Sequence, residues 1–273
     1  MIRSPAVAGM FYEGSRSALE KQVHECFAVN EPATVKESFI SAVVPHAGLM
    51  YSGHVAAAVY DKLDIPKRLI ILCPNHTGAG RSAAINRSGA WRTPLGDLEI
   101  DSDLAADLCR EASVLRDDAE AHEREHSLEV QLPFIQVLSP DVKFVPICLK
   151  SPSYETCAEV GSAIARVVAR HREKGEVIGL VASTDLNHYE NQETTLRKDQ
   201  IVIDCVLALD PRALWTSIIQ HDISMCGFIP TTAMLIAANE LGASKARLVK
   251  HATSGDINGD YARVVGYAGF IIQ

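Results

Sequence analysis

The chain has 273 residues, 47% hydrophobic and 22% charged, close to the average of soluble globular proteins, so disorder, collagen-like repeats and coiled coils are excluded. Lys and Arg number 26 against 34 Asp and Glu, a formal charge of −8, and no basic cluster is present. That balance argues against a nucleic-acid phosphate tracker or an anionic-membrane binder, and leaves small molecules, metal cations, peptides or proteins as partners.

Short apolar runs rich in Val and Ile alternate with helical patterns. In chain order the patterns predict a strand at 39–44, a helix at 55–63, a strand at 69–72, helices at 103–112 and 128–138, and a strand at 144–149. A helix at 154–172 and a strand at 177–182 follow, then helices at 195–209, 212–220 and 231–241, and strands at 246–250 and 264–272. No internal repeat or long Gly/Ser linker interrupts residues 1–273, which predicts a single α/β domain with a mostly parallel or mixed sheet flanked by helices. No run approaches the roughly 18 apolar residues of a membrane span, and the opening Met1-Ile2-Arg3-Ser4-Pro5 lacks an apolar signal core, so a cytoplasmic location is expected. The seven cysteines, at 26, 73, 109, 148, 157, 205 and 226, are odd in number and contain no CxxC, which fits neither a disulfide framework nor a zinc ribbon.

In such a sheet ligands bind beyond the carboxyl ends of the strands. After the strand ending at Val44 comes Pro45-His46-Ala47-Gly48, and after Leu72 comes Cys73-Pro74-Asn75-His76-Thr77-Gly78. Proline stops each strand and glycine permits a tight turn or close approach, so each histidine is held at the sheet edge. Two neutral imidazoles so placed suit iron, copper, nickel or zinc; loop histidines that only hydrogen-bond the backbone are the alternative. A third donor is offered by Cys226, ahead of a helix with Pro230 in its first turn, where a thiolate is favoured; a buried structural cysteine is the other reading. The remaining six cysteines are assigned that structural role.

Ser183-Thr184-Asp185-Leu186-Asn187-His188 follows a third strand. Asp185 and His188 read as an acid/base pair or as groups orienting a ligand imidazole, with helix capping as an alternative for Asp185. His126, in Glu125-His126-Ser127, is expected at the same edge with Ser127 capping the next helix. His54, read as starting a helix after Tyr51-Ser52-Gly53, and Asn75 are expected to line the pocket. His24, His122, His171 and His221 read as solvated surface residues, and His251, after a short strand, stays open. No G-x-S-x-G, G-x-x-x-x-G-K-[ST], G-x-G-x-x-G or H-E-x-x-H is present.

Ser4-Pro5-Ala6-Val7-Ala8-Gly9-Met10-Phe11-Tyr12, Pro45-His46-Ala47-Gly48, Pro74-Asn75-His76, Arg92-Thr93-Pro94-Leu95-Gly96, Glu125-His126-Ser127-Leu128-Glu129, the 183–188 segment and Cys226-Gly227 together resemble the Memo family, named after mediator of cell motility. The resemblance runs end to end and in order. It implies a fold like the LigB-type class III extradiol dioxygenases, whose non-haem iron is held by two histidines and a glutamate. By that likeness His46 and His76 match the metal histidines, Cys226 the third ligand, and His126, Asp185 and His188 residues of the same pocket. A thiolate in place of a carboxylate changes the metal's charge and softness, so ring cleavage is not carried over.

The resemblance to component B of the AmmeMemoRadiSam system implies partnership with an AMMECR-type protein and a radical S-adenosylmethionine enzyme. The leading expectation is a metalloprotein with iron or copper, or zinc, that performs or supports a redox step on a small substrate, aromatic ones included. The alternatives are a non-catalytic metal- or peptide-binding module and a Cys226-dependent hydrolase or transferase.

Overall fold

The computed structural model describes residues 1–150 and 153–273. In chain order the elements begin with β1 (Ile2–Arg3), α1 (Arg16–Ala28), β2 (Ser41–Val44), α2 (Leu49–Tyr60), β3 (Arg68–Pro74), β4 (Ala83–Ile85), β5 (Ala90–Thr93) and β6 (Gly96–Glu99). Then come α3 (Ser102–Glu111), β7 (Arg116–Asp117), α4 (Glu120–Glu123), a 3-10 turn (Glu129–Gln131), α5 (Leu132–Leu138), β8 (Lys143–Leu149), α6 (Tyr154–Arg172) and β9 (Ile178–Ser183). The chain closes with β10 (His188–Glu190), α7 (Gln192–Leu207), α8 (Pro211–Gln220), α9 (Phe228–Glu240), β11 (Ala246–Thr253), α10 (Gly255–Asn258) and β12 (Val264–Ile272).

The main sheet runs β10-β12-β2-β9-β3-β8-β4-β7, with β11 paired to β12. Its centre, β2-β9-β3-β8, is parallel, whereas β12 and β4 join it antiparallel, so the α/β sheet is mixed. A small second sheet orders β1-β5-β6. Along the central strands alternate side chains enter opposite cores. Val43, Ile70, Leu72, Val145, Ile147 and Leu180 face α3, α6 and α9; Ala42, Val44, Leu69, Ile71, Phe144 and Val181 face α1, α2 and α5. Burial on both faces is why these strands read as continuous apolar runs. Among the described residues no helix is long and apolar enough to cross a membrane.

Several boundaries differ from the sequence pattern by two or three residues, among them those of β2, α7 and α9, and three differences matter more. The helix predicted at 55–63 begins at Leu49, so His54 lies inside it rather than at its start. Gly53, expected just ahead of that helix, is buried inside it where α1 packs on α2, and a Cβ there would lie 2.6 Å from the Cys26 sulfur. The predicted helix at 128–138 is a 3-10 turn followed by α5, with Pro133 in the first turn of α5. The strand expected to end at Lys250 continues to Thr253, which places His251 within β11 and paired with Ala268 of β12.

Candidate metal centre

Because β2, β9 and β3 are parallel neighbours, the residues that follow them leave the sheet at one edge. His46 follows β2, His76 follows β3 and Asp185 follows β9. The ring centroids of His46 and His76 are 5.3 Å apart, and His126 joins them at 5.5 and 4.6 Å. One ligand atom from each of His46, His76 and His126 lies within 4.8 Å of the others, so this trio could hold a metal ion. The donor set fits a borderline transition metal.

The outer nitrogens of two rings are committed. The Ser183 hydroxyl donates to the Ser127 carbonyl at 2.7 Å and accepts from Gln131 Nε2 at 2.8 Å. Its contact with His46 Nδ1 at 2.9 Å is therefore an Nδ1–H donating to oxygen, and Nε2 is left as the lone-pair nitrogen. His46 is 1% exposed. Burial, followed by the neighbouring His126, His76 and His188, holds it far below the ordinary histidine range, so its imidazole is neutral at physiological pH.

His76 donates Nδ1–H to Glu125 Oε1 at 2.8 Å, and its backbone N–H donates to Oε2 at 2.5 Å. Glu125 is fully buried and also accepts from the Ser127 amide and hydroxyl. Burial alone would raise this carboxyl, but the His76 and Ser127 hydrogen bonds outweigh it and hold the group at about 2. An ionised carboxylate behind a ligand imidazole fixes its tautomer and raises its basicity. The Ser127 hydroxyl is thus committed to Glu125 and does not cap a helix as the pattern predicts. His126 lies 3.6 Å from the same Oε1 and packs on the Phe11 ring at 4.7 Å; burial lowers it to about 4.

Cys226 stands outside the trio, with its sulfur 3.3 Å from His46 Nε2. The Asp185 amide donates to that sulfur at 3.3 Å, and the Gly227 amide donates to Thr184 Oγ1 at 2.9 Å, joining the start of α9 to the loop after β9. Burial, then the Asp185 carboxylate, pushes the thiol up, opposite to the thiolate expected from its place beside a helix. A cation bound beside it would reverse that direction.

Asp185 Oδ1 accepts from the His46 and Ala47 amides at 2.8 and 3.3 Å, so it braces the His46 loop instead of capping its own turn. Burial raises its carboxyl against the opposing pull of His188 and those amides. His188 is half-buried and its Nδ1 meets the Ser224 carbonyl at 2.8 Å.

The other predicted residues fall elsewhere. The Asn75 side chain spans its own turn, to Ala79, Thr77 and Gly78, and His54 has Lys250 and Asp256 as its charged neighbours. His24 and His221 are exposed, whereas His122 and His171, read as solvated, are buried. His122 is covered by Trp91, 5.6 Å away between ring centroids. His171 sits between Asp107 and Glu176, at 2.9 and 2.6 Å, so carboxylates take the place of water.

Sequence reasoning assigned no role to Glu125, Ser183 or Glu129. Glu129 is fully buried and accepts from Arg3, the Ala6 and Val7 amides and the Tyr12 hydroxyl at 2.6, 2.8, 3.1 and 2.6 Å. It ties the opening segment against the centre and seats Phe11 over His126. The available signal was two acidic residues flanking a histidine just before an apolar run.

A family model described as Memo-like protein matches residues 3–271. A MEMO1 family protein of Methanopyrus kandleri, MK0963, is 43% identical over 100% of this chain and 99% of its own. MTH_45 of Methanothermobacter thermautotrophicus, also a MEMO1 family protein, is 42% identical over 98% of this chain and 99% of its own. Among solved structures, the uncharacterized protein JW3007 of Escherichia coli K12 superposes with a TM-score of 0.50 at 13% identity, over 85% of this chain and 98% of that one, a likeness of fold alone. With the model spanning nearly the whole chain and full-length relatives above 40% identity, the chain belongs to the Memo family.

Proposed function

We infer that the protein is a metalloprotein that binds iron or copper on His46 and His76, with His126 and Cys226 as the remaining donors, and that it performs or supports a redox step on a small substrate. The observation that carries this reading is the convergence of three imidazole donors within 4.8 Å, two of them with the outer nitrogen already bonded. The place of Cys226 is compatible with shared coordination. Two ligands bound at about 2.1 and 2.3 Å in tetrahedral geometry lie roughly 3.6 Å apart, against 3.3 Å between Cys226 sulfur and His46 Nε2. A bound redox metal supplies one-electron chemistry and Lewis acidity.

The protein's own groups supply the rest. Glu125 and Ser183 hold two ligand tautomers, Asp185 braces the His46 loop, and His188 keeps Nε2 available to take or return a substrate proton. Phe11 provides an apolar wall beside His126, which suits a planar or aromatic substrate. The test loads the parent with iron(II) or copper(I) without oxygen, then measures oxygen uptake with a panel of small phenols and catechols. Metal-dependent uptake that His188→Ala reduces supports the redox reading; metal binding with no redox change for any member contradicts it. An AMMECR-type protein and a radical S-adenosylmethionine enzyme are the proposed partners.

A further inference from the structure

Asn187 closes the loop that carries Asp185, and its side chain joins that loop to the segment leading to Cys226. Its Oδ1 accepts from the backbone amide and the hydroxyl of Ser224, both at 3.1 Å, and its Nδ2 donates to Glu190 at 2.7 Å. Ser224 in turn holds His188: its hydroxyl accepts the His188 amide at 2.7 Å and its carbonyl meets Nδ1 at 2.8 Å. A carbonyl can only accept, so Nδ1 carries the proton and Nε2 is the basic nitrogen. Among the described residues Nε2 of His188 has no hydrogen-bond partner.

Behind this clamp lies Asp199 of α7, fully buried. Its Oδ1 accepts the Asn187 amide at 3.0 Å, and its Oδ2 accepts from His251 Nε2 at 2.8 Å. The carboxylate is pressed onto the backbone of β12: a Cβ on Gly266 would lie 1.9 Å from Oδ2. Gly266 itself exchanges backbone hydrogen bonds with the loop, donating to Asn187 at 2.9 Å and accepting from Leu186 at 2.8 Å. A buried carboxylate is costly unless its oxygens are well hydrogen-bonded. Here one oxygen is satisfied by the loop and the other by a strand on the far side of it.

We propose that Asp199, held by His251, is a positioning residue that keeps the Asn187–Ser224 clamp closed and so fixes His188 in the Nδ1–H tautomer with Nε2 available. The inference rests on the reading of His188 as a proton-handling group, and its test does not depend on metal binding. Long-range proton–nitrogen correlation spectra of the full-length 15N-labelled chain, without added metal, report the His188 tautomer, and hydrogen exchange reports the Asn187 amide. In the parent His188 shows the Nδ1–H pattern. Asp199→Ala should give mixed tautomers and speed Asn187 exchange by about tenfold, as for loss of one charge-assisted hydrogen bond.

His251→Ala should move both readouts the same way by less, and His251→Gln, whose amide can still donate to Asp199, should restore them. A merely structural role would not produce rescue of the tautomer by glutamine. Parent-like tautomer and Asn187 exchange in folded Asp199→Ala overturn the proposal; should that variant not fold, the same result in His251→Ala does so. Failure of the parent to bind any metal would refute the metal reading and leave the tautomer result standing.

Discussion

Glu125 Oε1 lies 2.8 Å from Nδ1 of His76 while Oε2 accepts the backbone amide of the same residue, so one buried carboxylate fixes both the ring and the loop of a candidate ligand. Glu125→Gln keeps the shape and removes the charge. Loss of such a support weakens metal binding by about 10- to 100-fold. Competition with a chromophoric chelator should show that loss, together with a fall in unfolding stability, because the buried carboxylate accepts four donors that an amide cannot all satisfy; affinity equal to the parent's in the folded variant would rule out this role.

The Arg3–Glu129 pair is a buried ion pair, at 2.6 Å with both side chains almost inaccessible. Removing one partner strands a buried charge at a cost of about 3–5 kcal/mol. Glu129→Ala should lower unfolding stability in urea by that order. Hydrogen exchange should also quicken at the Ala6 and Val7 amides, which lose their acceptor.

His122 gives an acid-sensitivity prediction. Both ring nitrogens are buried and, among the described residues, have no hydrogen-bond partner, and burial, then Arg3, lowers the group to about 3. The unfolded state binds a proton near the ordinary histidine value of about 6.5; the folded state does not until about pH 3. Within that window unfolding is favoured as pH falls, by up to about 1.4 kcal/mol per pH unit from this one group. His122→Leu should therefore flatten the acid limb of the stability curve between pH 6 and 4. An acid limb as steep as the parent's would refute the assignment.

Gly227 lies where α9 meets the loop after β9. A Cβ there would come within 2.4 Å of Thr184 Cβ and 2.6 Å of the Ser183 carbonyl, backbone and branched atoms that cannot yield cheaply. Gly227→Ala should cost about 1–3 kcal/mol of stability as an overpacked site. It should also shift the neighbouring Cys226 away from His46, seen as reduced metal affinity in a variant that still folds.

The central strands were legible because each is buried on both faces, and the site edge followed from their order, since His46, His76 and Asp185 all trail parallel strands. Helix α1 was not: only Leu19, Val23 and Cys26 are buried in it, too thin a stripe amid polar residues. β10 is three residues long and holds Tyr189 at a φ of 61°, a conformation no propensity suggests for tyrosine. The supports of the site were hidden for another reason. Glu125 meets His76 across 49 positions and Ser183 meets His46 across 137, and a single sequence carries no sign of such pairings. Burial likewise decides His122 and His171, whose polar sequence neighbours suggested solvent while Trp91 and two carboxylates cover them.

The most direct test of the metal centre is elemental analysis of protein purified without oxygen, with the parent beside His46→Ala, His76→Ala, His126→Ala and Cys226→Ala. Near-stoichiometric iron or copper in the parent, lost with either His46 or His76 and reduced with His126 or Cys226, is the predicted result. A parent without metal, or metal retained in full by both His46→Ala and His76→Ala, would contradict the account.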